Sequence, residues 1–293
     1  MRYLIGLLAL AVAACGSAGP TSTPAASGSL PEGRYFVQFV GYVAAASGGP
    51  VHLQIAFVDA FAEAPSETPE VMEIELETDR GPFPGYVDAI TPNPPDGGYQ
   101  LTSVLFHVDS LPVGTYHVTT LSFHDGTARH AGVSIGAWTI EVLDKASFHG
   151  LSERESSIQA PLFAQLETKV RNETDGPLTI TGLQMALPNV QVKVSMFAPD
   201  SQATPDASGF QQTEDRQVTE VAVGPGEDQA LRFRFDPPDV APFIVLQPIL
   251  QFRDANGVEG LMQVPLNVYS APFPSTADME AYLRSLPPSA ITK

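Results

Sequence analysis

The stretch Leu111-Pro112-Val113-Gly114-Thr115-Tyr116-His117-Val118 decides how the first half of the chain folds. Proline and glycine lie close together in it, which predicts a turn. The segment that follows, Thr115 to Phe123, is rich in β-branched and aromatic residues, as is Tyr99 to Val108 before the turn. The stretch therefore predicts two consecutive strands that are joined by a tight corner.

The pattern Leu-x-x-Gly-x-Tyr in this stretch resembles the corner between the fifth and sixth strands of immunoglobulin-like and fibronectin-type sandwiches. In those domains the tyrosine opens the sixth strand and its hydroxyl group bonds backwards to the backbone, so the resemblance implies this role for Tyr116. The turn Phe123-His124-Asp125-Gly126 would then join the sixth and seventh strands. Trp138, the only tryptophan, lies in the last strand of this half and is predicted to be a core residue.

Other segments of the first half also have the pattern of strands. Arg34 to Val43 and Val51 to Phe61 are rich in β-branched and aromatic residues. Met72 to Thr78 alternates between apolar residues and glutamates, which predicts a half-buried strand with an acidic outer face. With Val133 to Leu143, about seven strands are expected, and a proline-rich loop is expected over residues 81–99.

The second half repeats this rhythm from residue 160 onward. Val223-Gly-Pro-Gly-Glu227 resembles a second immunoglobulin-type corner, and Asp254-Ala-Asn-Gly257 predicts a hairpin turn. Near the end, Ser275 is placed to cap a helix with an apolar stripe formed by Met279, Tyr282, Leu283 and Leu286. We expect the stripe to dock on the second sandwich or between the two, the alternative being that it binds a partner protein. The predicted fold class is all-β, with two tandem immunoglobulin-like β-sandwiches and a short C-terminal helix.

The N-terminus carries a short apolar run that ends at the only cysteine of the chain. Val12-Ala13-Ala14-Cys15 resembles a lipobox, the cleavage and acylation site of bacterial lipoproteins. The resemblance implies that residues 1–14 are a signal peptide, that Cys15 becomes a lipidated N-terminus, and that residues 15–31 are a flexible tether. It also implies the cell envelope as location: the outer membrane in a bacterium with two membranes, otherwise the outer face of the plasma membrane.

After the tether, the chain is predicted to contain a first sandwich at 32–145, a linker at 146–159, a second sandwich at 160–272, and a helix with a tail at 273–293. The formal net charge of −18 repels phosphate backbones and anionic lipid headgroups, which excludes nucleic acid as a partner. Contact with a membrane would therefore come from the lipid on Cys15. A single cysteine also excludes an intramolecular disulfide.

Several residues are candidates for catalysis or metal binding. Gly132-Val-Ser134-Ile-Gly136 matches the nucleophile-elbow pattern, but a strand follows it where a helix is needed, so Ser134 is not expected to be catalytic. Several histidines lie in the first half of the chain. His124 and His130, on either side of one hairpin, are the candidates for a Cu or Zn site. The favoured interpretation is that these are surface histidines that bind no metal. Oxygen ligands for calcium are also available, at Asp200, Asp206, Asp215, Asp254 and Glu259. The methionines that could suggest copper are expected to be core residues: Met185, Met196 and Met262.

These observations favour a protein without enzymatic activity and without a cofactor. The predicted function is that of a lipid-anchored envelope protein acting as a binding, scaffold or adhesion module, possible partners being other envelope proteins. Phe83, Tyr86 and Tyr99, in the proline- and aromatic-rich segment 81–99, are the predicted ligand-binding residues. The alternative function is metal handling through the histidines of the first half.

Overall fold

The strands dominate the architecture. The computed structural model describes residues 30–61, 71, 73–96, 98–124, 129–157, 163–198, 216–237, 241–270, 273 and 275–286. In chain order the strands are β1 (Gly33–Phe36), β2 (Phe39–Ala46), β3 (Val51–Ala60), β4 (Glu73–Thr78), β5 (Gly81–Pro92), β6 (Tyr99–Val108), β7 (Gly114–His124), β8 (Arg129–Val133), β9 (Gly136–Leu143), β10 (Leu151–Ser157), β11 (Gln165–Asn172), β12 (Leu178–Gln184), β13 (Lys193–Ala198), β14 (Arg216–Val218), β15 (Val221–Val223), β16 (Asp228–Asp236), β17 (Phe243–Gln247), β18 (Ile249–Asp254), β19 (Glu259–Gln263) and β20 (Asn267–Ser270). A 3-10 turn occupies Lys145–Ser147, and the helix α1 is Thr276–Ser285. The predicted all-β class with a short C-terminal helix is confirmed.

The first sandwich is one sheet folded over a common core. Its strand order is β1-β3-β6-β5-β4-β7-β9-β2-β17-β20, with β8 on β7. Strand β5 turns the corner, because Gly81–Gly85 pairs with β4 and Gly85–Pro92 pairs with β6. The prediction of a loop is therefore wrong for this segment. Its prolines at 82 and 84 are tolerated because that part of β5 has a partner strand on one side only.

The predicted corner of the first sandwich is confirmed. The hydroxyl group of Tyr116 is buried and donates a hydrogen bond to the carbonyl oxygen of Pro112 at 2.7 Å. Gly114 has a φ of 147°, a backbone conformation that favours glycine over residues with a side chain. Trp138 is buried in the core, as predicted, and its indole N–H donates to the carbonyl oxygen of Ile135 at 3.1 Å.

The second sandwich has two sheets, ordered β10-β11-β16-β13-β14 and β15-β12-β18-β19. The predicted linker at 146–159 contains strand β10, which pairs with β11 as an edge strand. An edge strand is held by backbone hydrogen bonds and needs no apolar alternation. The turn predicted at Asp254–Gly257 is confirmed, since the amide of Gly257 donates to the carbonyl oxygen of Asp254 at 3.0 Å.

The corner of the second sandwich uses an asparagine where the first uses a tyrosine. Asn172 is fully buried, and its side-chain amide donates to the carbonyl oxygens of Gly176 at 2.8 Å and Val223 at 2.9 Å. Its side-chain oxygen accepts the backbone N–H of Thr174. Two different side chains therefore tie the corners of the two halves.

The two halves are joined by strands with two buried faces. Strand β2 pairs in parallel with β9 and with β17, so the pairing crosses the predicted linker at 146–159. Alternate residues of β2 face different cores: Phe39 and Val43 belong to the first, and Tyr42 and Ala44 to the second. Strand β17 is buried throughout in the same way. Such strands read as continuous apolar runs, because neither face meets water.

Helix α1 packs on the first sandwich. The hydroxyl oxygen of Ser275 accepts the backbone N–H of Asp278, which confirms the predicted cap. Leu283 and Leu286 are buried in the first core, and the ring of Tyr282 lies 5.5 Å from that of Phe243 in β17. Of the two predicted positions, docking on the second sandwich alone is therefore wrong, while the contact with Phe243 agrees with a position between the two predicted sandwiches.

Candidate functional site

Two histidines and an aspartate meet on the outer face of the first sandwich. His52 in β3 and His107 in β6 lie directly opposite each other in the antiparallel ladder, with their side chains on the solvent side of the sheet. Their ring centroids are 5.5 Å apart. Directly opposed residues on one face are the closest side-chain neighbours that a sheet offers. The pairing register therefore brings these two imidazoles together.

Asp88 completes the group from the neighbouring strand β5. It is the extra residue of a β-bulge, since Val87 pairs with Phe106 and Ala89 with Leu105. Bulges re-aim side chains and are frequent beside functional sites. The carboxylate lies between the two rings, with one oxygen 3.2 Å from His52 Nδ1 and the other 2.7 Å from His107 Nδ1.

Two further side chains surround His107. The ring of Tyr86, which is 51% exposed, stacks on the imidazole with centroids 5.5 Å apart. The second ring nitrogen, Nε2, lies 3.7 Å from Oδ1 of Asp109. One ring nitrogen of His107 thus faces Asp88 and the other faces Asp109. The two carboxylates flank the imidazole at its two nitrogens, and the ring of Tyr86 covers one of its faces, so the orientation of the imidazole is fixed.

The residues predicted to bind a ligand do not share one surface. Phe83 packs against the first core, with its ring edge-on to Tyr116 at 5.6 Å. Tyr99 packs against the same core and donates a hydrogen bond to Glu280 of α1 at 2.6 Å. Burial, and then the neighbouring Glu280 carboxylate, raise the pKa of Tyr99 to about 12. Of the three, Tyr86 is the one that offers most of its ring to solvent.

The histidines predicted as metal candidates are placed differently from each other. His130 is buried and stacks on Phe123 at 4.4 Å, so it is part of the core packing. His124 ends strand β7, opposite Glu73 in β4 and Arg129 in β8. Within the described ranges, neither belongs to a group of three side chains that could hold a metal ion. His52, Asp88 and His107 form such a group, and their ligand atoms lie within 4.8 Å of one another.

Ser134 lies between two strands and contacts an amide rather than a base. Its hydroxyl group donates to the side-chain oxygen of Gln38 at 2.7 Å, and the Gln38 amide donates back to the Ser134 carbonyl. Gly136 has a φ of 97°, and a Cβ atom there would lie 2.0 Å from the carbonyl oxygen of Phe39. Close backbone packing between β2 and β9 therefore explains Gly136, whereas Gly132 has a φ of 68° and open space around it.

The proposed oxygen and sulfur ligands have structural roles where they are described. The Asp254 carboxylate accepts the backbone N–H groups of Val258 and Asn256, which lowers its pKa below the usual range. Glu259 opens strand β19 on the other side of this turn. Met196 and Met262 are buried in the second core and Met185 packs against it, as predicted. Cys15, Asp200, Asp206 and Asp215 lie outside the described residues.

A network of polar side chains joins strand β2 of the first sandwich to strands β12 and β18 of the second. Tyr42 donates to an oxygen of Glu141 at 2.5 Å, and the amide of Gln184 in β12 donates to the same oxygen at 3.0 Å. Gln251 in β18 then donates to Gln184 at 2.8 Å. Burial, and then the hydrogen bond to Glu141, raise the pKa of Tyr42 well above its ordinary value. The network links the first sandwich to a sheet of the second.

Sequence reasoning missed His52 and Asp88. Both lie at positions that face solvent in apolar-rich segments, and their outward placement was the only local signal.

No helix in the described part of the chain is long and apolar enough to cross a membrane.

Comparison with known proteins finds no matching family model and no matching curated protein. Among solved structures, an alpha-2-macroglobulin of Salmonella reacted with methylamine is similar over 84% of this chain, at 17% identity and a TM-score of 0.26. The chain spans 15% of the length of that protein. The tandem Ig repeats of Dlar are similar over 82% of this chain and 98% of theirs, at 9% identity and a TM-score of 0.20. The class is that of tandem immunoglobulin-like sandwiches, as the strands described above define it.

Proposed function

We propose that the protein is a lipid-anchored protein of the cell envelope that acts as a binding, scaffold or adhesion module and catalyses no reaction. The lipobox-like stretch Val12–Cys15 supports the anchor, and the uncharged, proline-dotted residues 16–31 support a tether. Localisation in the outer membrane, or on the outer face of the plasma membrane, follows from the same proposal.

The observation that carries the scaffold role is the sharing of strands between the two sandwiches. Because β2 and β17 contribute side chains to both cores, the two halves cannot reorient without exposing apolar residues. The network from Tyr42 to Gln251 adds polar contacts across the same junction. A body of this kind suits a module that presents its surfaces at a set distance from a membrane.

The contacts of Ser134 support the absence of hydrolase activity. A nucleophilic serine needs a general base within hydrogen-bond reach, and the partner of Ser134 is the amide of Gln38. A serine-reactive fluorophosphonate should therefore leave the protein unlabelled. Labelling that disappears in Ser134→Ala would contradict the proposal.

The anchor is tested by expressing the full chain in a bacterial host and separating detergent-phase from aqueous-phase protein. We expect the wild type to be cleaved before Cys15 and to partition into detergent, and Cys15→Ser to remain an uncleaved precursor of higher mass, because cleavage depends on the cysteine. Ser17→Ala is the matched control, because it changes the adjacent tether and leaves the four-residue motif intact. Mass spectrometry of the N-terminal peptide should show acyl chains on Cys15. A wild-type protein that carries no acyl chain on Cys15 would refute lipid anchoring.

The binding role is tested at Tyr86. Crosslinking in intact cells should yield partner adducts that are reduced in Tyr86→Ala. Val258→Ala is the matched control, since Val258 is 55% exposed and lies on the second sandwich. Adducts that are unchanged in Tyr86→Ala would exclude the outer face of the first sandwich as the binding surface.

A further inference from the structure

We propose that His52, Asp88 and His107 bind one divalent transition-metal ion, Zn²⁺ or Cu²⁺, on the outer face of the first sandwich. The assignment does not depend on the anchoring function proposed above. The sequence alone suggested His124 and His130 as metal ligands. The site proposed here uses neither of these two histidines.

The distances between the ligand atoms fit a metal site. At metal–ligand bonds of about 2.0–2.1 Å, two ligands of a tetrahedral ion lie about 3.3 Å apart. His52 Nδ1 is 3.2 Å from one oxygen of Asp88, and His107 Nδ1 is 2.7 Å from the other. The three ligand atoms lie within 4.8 Å of one another, so small side-chain rotations would bring all of them onto one ion.

The site is built by the fold and is not a chance meeting of mobile side chains. His52 and His107 are fixed as directly opposed residues of β3 and β6, and the bulge in β5 turns Asp88 toward them. Three neighbouring strands thus supply one ligand each. Ligands on strands are held more rigidly than ligands on loops.

The surroundings of His107 match those of a metal-bound histidine. A metal-ligating imidazole typically directs its second ring nitrogen at a carboxylate, which fixes the ring and raises its basicity. Here Nδ1 faces the site and Nε2 lies 3.7 Å from Oδ1 of Asp109, which puts the carboxylate beside this nitrogen but beyond direct hydrogen-bond distance. The stacked ring of Tyr86 covers one face of the imidazole.

The chemistry of the ligands selects the ion. Two imidazole nitrogens and one carboxylate suit Zn²⁺ and Cu²⁺, whereas Ca²⁺ takes oxygen ligands. The three side chains are 24–29% exposed, so a fourth position is open to water or to a group from outside the protein. The net charge of −18 raises the local concentration of cations around the chain.

The competing interpretation is a hydrogen-bonded bridge, in which both imidazoles donate to Asp88 and no metal binds. The test uses the full chain, purified without a polyhistidine tag and stripped with EDTA. ZnCl₂, CuCl₂ and CaCl₂ are each titrated calorimetrically. We expect one equivalent of Zn²⁺ and of Cu²⁺ to bind per chain, and no heat of binding from Ca²⁺.

Variants locate the site. His52→Ala and Asp88→Asn should each lower the affinity at least ~100-fold, and Asp109→Asn should lower it about tenfold, the scale of losses for outer-sphere partners. His124→Ala is the matched control and should bind like the wild type. The electron paramagnetic resonance spectrum of the Cu²⁺ form should show two imidazole nitrogens, and one in His52→Ala.

Two results would overturn the proposal. One is the absence of a single-equivalent Zn²⁺ or Cu²⁺ site in the wild type, which would favour the hydrogen-bonded bridge. The other is unchanged affinity in a His52→Ala variant whose circular dichroism spectrum shows that it is folded. Neither result bears on lipidation of Cys15, so failure here and failure of the anchor are distinguishable.

Discussion

Strand β2 is covered by a hydrophobic core on both of its faces, whereas strand β6 is fully buried on one face and partly exposed on the other. In β2, Val43 meets the first core and Tyr42 the second, and the Tyr42 hydroxyl group donates to Glu141 instead of to water. In β6, Phe106 is buried while the next residue, His107, points outward to Asp88 and Tyr86. Both strands belong to one sheet. The difference shows that packing occupies the junction, while the outer face is where this protein can place chemistry.

The largest effect is expected at a shared strand. Leu246 is completely buried in β17, and Leu246→Ala should lower the free energy of unfolding by about 3 kcal/mol, through lost burial and a cavity. Leu105→Ala removes the same atoms from the partly exposed outer face of β6 and should cost about 1 kcal/mol. Urea denaturation measures both variants. Equal losses would break the distinction between the two strands.

A smaller effect is expected where β2 passes Trp138. A Cβ atom at Gly41 would lie 2.2 Å from the indole ring, so Gly41→Ala must displace a buried side chain. Overpacking of this kind should cost about 2 kcal/mol. Gly182→Ala in β12 is the control, because no atom lies within 4 Å of a Cβ atom there. A change in tryptophan fluorescence should accompany the first substitution and not the second.

Alkaline pH should weaken the packing of α1 on the shared strands. Burial raises the pKa of Tyr282 to about 12, against an ordinary value of 10.0. The unfolded chain therefore loses this proton first. The stabilisation is fully present below pH 10 and is lost as the pH rises from 10 toward 12, by about 1 kcal/mol between pH 10 and 11. Tyr282→Phe should flatten this part of the stability–pH profile, and an unchanged slope would contradict the assignment.

The smallest effect on stability is expected at the outer face. Asp88 contacts both histidines at a partly exposed site, where ion pairs contribute ~0–1 kcal/mol. In metal-free protein, Asp88→Asn should shift the free energy of unfolding by less than about 0.5 kcal/mol. If Asp88→Asn lowered the free energy of unfolding as much as Leu246→Ala, the outer face would contribute to stability as the shared strands do, and the proposed difference between β6 and β2 would be wrong.

Local patterns predicted the parts of the fold that are held by local contacts. The corner at Tyr116, the turn at Asp254 and the cap at Ser275 each join residues only a few positions apart. The alternation in β4 was also informative, since Ile74 and Leu76 are buried there as expected. Strand β5 was missed because prolines usually mark loops, and here one unpaired side accommodates them.

The candidate site could not be predicted in the same way. His52 and His107 are far apart in the chain, and only the register between β3 and β6 makes them neighbours. A shift of one residue would turn one of the two to the opposite face of the sheet. His124 and His130 were predicted as a metal site because they are close in sequence, yet His130 is buried against Phe123.

The sequence by itself determined which segments are extended, where they turn and which faces are apolar, because these properties depend on neighbouring residues. It also determined the acidic charge and the presence of one cysteine at a lipobox-like position. Only the tertiary structure decided that β17 lies beside β2, that α1 docks on the first sandwich, and that Asp88 stands between two histidines. The physical reason is that backbone hydrogen bonds between strands are nearly the same for every residue type. The choice of partner strand is therefore made by the packing of the whole core.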